Sequence, residues 1–203
     1  MLAKVHTAAV VGLEGEVVEV EVDTSRGLPS FSIVGLPDKA VQESRERVQA
    51  AVKNAGLAFP RQRVTVNLAP ADLRKEGPAY DLPIALGALA ASEQIEREWL
   101  DGCIAVGELS LDGSLRHVRG LLPMAALARK KHFPRMFVPA MDAAEASLIP
   151  EVEVIPVDSL TQLVNHLSGI TQIEPFPRST VEPSNEFIDG QLQEIKGQEH
   201  AKR

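Results

Sequence analysis

Residues 67–81, Asn-Leu-Ala-Pro-Ala-Asp-Leu-Arg-Lys-Glu-Gly-Pro-Ala-Tyr-Asp, hold the densest set of chemically useful groups in this 203-residue chain. A strand-like run passes through a charged loop containing Arg74, Lys75 and Glu76, reaches Gly77-Pro78, and enters an apolar helix. The first N–H groups of a helix lack partners within it, and its dipole favours negative charge there. A helix start of this kind stabilises an anion or an oxyanion. Asp81 falls in the first turn, where a carboxylate caps the helix, complements its dipole or serves the fold.

Other chemistries are poorly supported. The five histidines, His6, His117, His132, His166 and His200, show no metal-ligand spacing with a carboxylate partner and read as structural. No serine lies in G-x-S-x-G. Ser110 and His117 form an alternative nucleophile and base that nothing in the sequence brings together. There is no G-x-x-x-x-G-K-[ST] loop to cradle phosphates, and Gly12 and Gly15 are too sparse to replace one. Candidate phosphate contacts are Arg61 and Arg63, Arg74 and Lys75, Arg116 and Arg119 around His117, and the run Arg129-Lys130-Lys131. The competing reading of each cluster is an ordinary solvated face or a salt bridge between subunits. Aromatic residues make up only 4%, with Tyr80 and Trp99 standing alone, which argues against a base-stacking platform.

These groups must be positioned by sheet and helix. Val18, Val20 and Val22 alternate with Glu19, Glu21 and Asp23, the period of a half-exposed strand. Ser25-Arg26-Gly27 is a turn, Ser30–Val34 resumes the strand, and Gly35-Leu36-Pro37 ends it. Asp38 caps a helix whose apolar face carries Val41, Val48 and Val52, with Gly56 as its stop. Val64, Val66 and Leu68 mark a strand, and Pro78 to about Ser92 a helix apolar on nearly every side, hence buried. Further on, the pattern predicts a strand over Ile104–Leu111, a turn at Asp112-Gly113, and a returning strand over Leu115–Val118. A helix over Leu121–Lys131, a strand over Met136–Pro139, a short helix over Asp142–Leu148, a strand over Val152–Val157 and a helix from Leu160 to Leu167 complete the order. Strands with intervening helices give an α/β or α+β sheet covered by helices mainly on one side.

Composition bounds the rest. The net charge of −7 argues against coating nucleic acid through bulk charge, while leaving local basic patches open. The single cysteine, Cys103, excludes an intrachain disulfide framework and a Cys-rich zinc site, and fits a reducing compartment. No stretch reaches the roughly 20 apolar residues of a membrane span, and Glu14 and Glu16 interrupt the N-terminal apolar run. These features predict a cytoplasmic protein with no membrane partner. Residues 1–169 read as one domain and 170–189, with Pro175, Pro177 and Pro183, as a linker. Residues 190–203 read as the start of a further module that is cut short.

Two resemblances refine this picture. Lys75-Glu76-Gly77-Pro78-Ala79 looks like the K-D-G-P-S loop of Lon-type serine proteases, and Gly107–Gly113 resembles the G-E-[IL]-[ST]-L-x-G hairpin that follows it there. By that alignment the serine position holds Ala79 and the lysine position holds Leu122. A Ser–Lys dyad needs a hydroxyl to attack and an amine to take its proton, so the resemblance implies a degenerate site without catalytic residues. A wider set resembles the N-terminal domain of the ComM/YifB family of magnesium-chelatase-like AAA+ proteins. Its members here are Ser25–Pro29, Val34–Pro37, the helix Glu43–Val48, Val64–Asp72 and Lys75–Leu89, with Ile195–Gln198 and Ala201-Lys202-Arg203 past the linker. That family resemblance implies a Lon-protease-like α/β domain, a two-layer sandwich on a mixed sheet, attached to a hexameric ATP-driven DNA branch-migration helicase of natural transformation. It implies a role in ring assembly and DNA guidance, with branched or duplex DNA and other copies of the chain as partners. ATP and Mg are implied only for the motor, with Lys196, Gly197 and Gln198 near its adenine site; this part of the chain needs no cofactor. The magnesium-chelatase label implies shared ATPase ancestry and no porphyrin site. The alternatives are a purely structural oligomerisation module without DNA contact, or a peptidase using other residues.

Overall fold

The computed structural model describes residues 1–178. The rest of the expected linker and the 190–203 segment, with Lys196, Gly197 and Gln198, lie outside the described residues. The fold is α/β, built on a mixed seven-stranded sheet in the order β3-β4-β2-β1-β5-β8-β9.

Strands β1 (Leu2–Val11) and β2 (Glu14–Ser25) form a long antiparallel hairpin at the centre of the sheet. The expected alternation holds: Val18, Val20 and Val22 are fully buried, and Glu19 and Glu21 face outward. Each such valine contributes about 1.5–3 kcal/mol over an exposed one. Strand β4 (Arg63–Ala69) pairs antiparallel with β2, and β3 (Ser30–Val34) adds a parallel edge. On the other side β5 (Cys103–Ala105), β8 (Arg135–Pro139) and β9 (Glu153–Val157) continue in parallel from β1.

Helices α1 (Lys39–Asn54), α2 (Asp81–Ala91) and α5 (Leu160–Leu167) pack with the larger core on one face. Helices α3 (Leu121–Lys130) and α4 (Ala143–Ala146) build a second, smaller layer on the opposite face. Strand β8 shows the division: Phe137 points into the first core, and Met136 and Val138 into the second. Helix α2 is buried along its whole length, as its composition requires. It lies so close to β2 that a methyl group at Gly87 would stand 2.5 Å from Val22 Cγ2.

The chain departs from the expected pattern at 104–111. A single strand was the expectation; the structure divides it in two. Strand β5 stops at Ala105, and β6 (Glu108–Leu109) joins β7 (Leu115–Arg116) in a separate two-stranded ribbon. The break lies at Gly107, whose N–H donates to Ala79 O at 3.0 Å and whose carbonyl accepts from Leu82 N at 3.0 Å. Both bonds turn the chain away from the large sheet and onto the start of α2.

The first residues of the expected linker are docked on the domain. Ile173 N donates to His166 Nδ1 at 3.0 Å, and Phe176 N donates to Val154 O at 2.8 Å. The Ile173 and Phe176 side chains pack against the two cores.

Candidate functional site

The segment 75–81 is held in place by a helix cap. Asp38 Oδ1 accepts from Val41 N at 2.8 Å, capping α1, and Oδ2 accepts from Gly77 N at 3.1 Å. Backbone bonds from Asp38 N to Lys75 O and from Lys75 N to Leu36 O stitch the two loops together. One carboxylate thus satisfies a helix terminus and fixes the loop that precedes the next helix.

Asp81 is the second anchor. Its carboxylate is fully buried and accepts from the Ser44 hydroxyl, from Arg47 Nε at 2.6 Å and Nη2 at 3.0 Å, and from Leu109 N at 3.1 Å. It joins α1, α2 and the β6–β7 ribbon. The carboxylate in turn raises the Arg47 pKa, with burial opposing. Of the readings open from sequence, the structure selects a fold-holding carboxylate at Asp81.

Between these anchors and β1 opens a cavity of about 450 Å³. Ala79 sits in its wall with Ala8, Val10, Glu108, His117 and Arg119. Few N–H groups remain for an anion at the α2 start. Gly77 and Leu82 already have partners, and Pro78 and Pro83 have no N–H to give. The expected oxyanion cradle is therefore narrowed to the N–H groups of Ala79 and Tyr80, both residues of the cavity lining. Leu122, expected at the lysine position, is 40% exposed in the first turn of α3, with its N–H bonded to Glu145 Oε1 at 2.8 Å. It is absent from the cavity lining.

His117 has a partner that sequence spacing could not show. Its Nδ1 lies 2.5 Å from Asp142 Oδ1, and Asp142 Oδ2 accepts from Val118 N at 2.9 Å. Asp142 stands 25 residues away and is buried at the start of α4. A carboxylate-held imidazole beside a cavity can exchange a proton with a bound group. Among the described residues no hydroxyl or thiol lines the cavity with it except that of Tyr80, whose pKa burial pushes up. Ser110 accepts instead from Arg116 Nε.

The candidate cations separate into four situations. Arg74 and Arg119 stand at the cavity, Arg74 paired with Glu76 at 3.1 Å. Arg116 is exposed on β7, and Arg61 and Arg63 are exposed where β4 begins. Lys75 requires a correction as a phosphate contact. It is buried, its Nζ donates to Pro70 O, and burial lowers its pKa. A buried ammonium spent on a backbone carbonyl cannot reach a strand of nucleic acid. Among the described residues no group of three or more His, Cys, Asp or Glu side chains is arranged to hold a metal ion.

Residues 20–142 match the family described as subunit ChlI of Mg-chelatase. The chain belongs to that family. It is 41% identical over its whole length to competence protein ComM of Haemophilus influenzae and covers 40% of that protein. It is also 41% identical to the uncharacterised protein YifB of Escherichia coli, of which it covers 39%. A weaker likeness, 22% over 187 residues, links it to the Lon protease of Mycolicibacterium smegmatis. This ChlI-family chain therefore spans about two fifths of the ComM and YifB relatives it matches.

No helix among the described residues is long and apolar enough to cross a membrane.

Proposed function

We propose that this chain is the accessory domain of a ComM-like, hexameric AAA+ protein that moves along branched or duplex DNA in the cytoplasm. Its task there is to assemble subunits and guide DNA, with no peptide-bond chemistry of its own. The observation that carries this reading is the cavity at Ala79. Asp38, Asp81 and Gly107 fix the loop and helix around it, and Ala79, which the Lon resemblance aligns with a nucleophilic serine, offers only a methyl group. Leu122 supplies no base. The binding of ATP and Mg belongs to the portion of the ComM relatives that this chain does not span, with Lys196, Gly197 and Gln198 at its entrance. Exposed Arg61, Arg63, Arg74, Arg116 and Arg119 are the DNA contacts under this reading.

Fluorescence anisotropy of labelled forked and duplex DNA, titrated with the chain at low and moderate salt, tests it. Affinity that falls steeply with salt supports phosphate contact. A folded chain that binds no DNA at low salt refutes the guiding role. The net charge of −7 favours a second reading, a pure oligomerisation module. Charge reversal at Arg61, Arg63, Arg116 and Arg119 that alters sedimentation but leaves DNA affinity unchanged would select it.

A further inference from the structure

Away from the Ala79 cavity, a groove of about 650 Å³ lies along the edge of the sheet, between the start of β3, the end of α1 and the loop leading into β4. Two of the six phenylalanines meet there. The rings of Phe31 and Phe59 have centroids 5.0 Å apart and are tilted by 38°. Each is only partly buried against the core, so aromatic surface remains toward the groove. Composition could not reveal this pair, because the two residues stand 28 positions apart and belong to different elements.

The charge around the rings is one-sided. Lys53 and Arg61 line the groove, both exposed, and among the described residues neither has an ion-pair partner and no Asp or Glu lines the groove. Arg63, opposite Ser30 in the β3–β4 register, stands beside it. On a chain of net charge −7, such a stretch is a local exception. The Ala79 cavity contrasts with it, since Arg74 and Arg119 there are offset by Glu76 and Glu108. Gln49 and Gln62 complete the polar rim with groups that donate and accept.

Aromatic faces flanked by free cations fit single-stranded nucleic acid, in which bases stack and phosphates seek positive charge. A peptide added along β3 would engage the two cations only through acidic side chains and would leave the aromatic faces without a stacking partner. We propose that this groove receives the single-stranded arm of a forked DNA, a base stacking on the Phe31–Phe59 pair while Lys53 and Arg61 contact the flanking phosphates. The inference rests on the DNA-guiding reading above and names where that contact is made.

The test is anisotropy titration of a labelled oligo(dT) and of an abasic strand of equal length, over a salt series. Phe59→Leu keeps most of the buried volume while removing the ring, and thermal melts confirm its fold. It is expected to weaken oligo(dT) binding about fivefold or more and to leave the abasic strand nearly unchanged. Lys53→Gln with Arg61→Gln, both at exposed positions, is expected to weaken both strands and to reduce the salt slope by about 1.4, the value for two single-strand phosphate contacts. If DNA binds but neither variant alters it, while Arg74→Gln with Arg119→Gln does, the groove assignment is overturned and the guiding role stands. If the unaltered chain binds no DNA at low salt, both readings fall.

Discussion

Replacing Asp81 with alanine should be the most damaging single change near the cavity. The carboxylate is fully buried and is the common acceptor for Arg47, Ser44 and the Leu109 amide. Its removal leaves a guanidinium at a site where its side chain is only 20% exposed, together with a buried backbone N–H that has lost its acceptor. Breaking one side of a buried, hydrogen-bonded ion pair costs about 3–5 kcal/mol, because the surviving charge stays desolvated. For a domain of this size each kcal/mol lowers Tm by about 2–4 °C, so Asp81→Ala should lose roughly 6–20 °C. Urea unfolding followed by the single tryptophan, Trp99, gives the free energy directly. Arg47→Met in the Asp81→Ala background should recover part of the loss, since the uncompensated cation is then gone. A loss under about 1 kcal/mol for Asp81→Ala, or no recovery in the double variant, would refute the role assigned to this carboxylate.

Two further outcomes follow from buried groups. Burial, with Arg135 adding to it and Glu153 opposing, holds the His166 pKa below its ordinary value. The unfolded chain then binds the extra proton first, so the stabilisation from neutral His166 is complete above about pH 6.5 and shrinks as pH falls through the folded value. Protonation also removes the acceptor for Ile173 N, so amide-exchange protection at Ile173 should fall with acidification in the native chain, and a His166→Asn variant should lack that dependence. Burial pushes the Cys103 thiol up to about 12. Iodoacetamide at pH 8 should leave the folded chain unmodified and alkylate one site after urea unfolding; native-state labelling at the rate of a free thiol would contradict the packing of β5.

How much of this was legible in the sequence follows from range. Strand and helix positions are set by local periodicity, so β2, β3, α1 and α2 fall where the valines, the Asp38 cap and the apolar run predict. The break after β5 was not legible, because it is made by bonds from Gly107 to residues 79 and 82, more than 20 positions away. The same holds for the site. The loop that carries Ala79 was legible as a strand leading into an apolar helix, but the His117–Asp142 pair and the Phe31–Phe59 pair exist only after folding. Lys75 shows the opposite error: a lysine in a charged loop reads as exposed, and its burial depends on the loop folding back to offer the Pro70 carbonyl.

The cavity at Ala79 owes its shape to the fold. The groups that shape it are also those that hold the domain together. Asp38 caps α1 and fixes Gly77; Asp81 joins α1, α2 and the β6–β7 ribbon; Gly107 binds both Ala79 and Leu82. Losing either carboxylate leaves a partner unsatisfied, at about 1–3 kcal/mol for a neutral group and more for Arg47, and a Cβ at Gly107 would stand 3.1 Å from Leu115 Cδ2 and 3.2 Å from Leu82 Cβ. The Ala79 and Leu122 side chains hold nothing comparable together, since Ala79 presents only a methyl group to the cavity and Leu122 stands partly exposed. It follows that the shape of this cavity, taken by itself, is weak evidence for a ligand there, whereas the unpaired cations beside Phe31 and Phe59 hold no part of the fold together through hydrogen bonds or ion pairs. That asymmetry is why the edge groove, rather than the inherited cavity, is the better place to look for DNA.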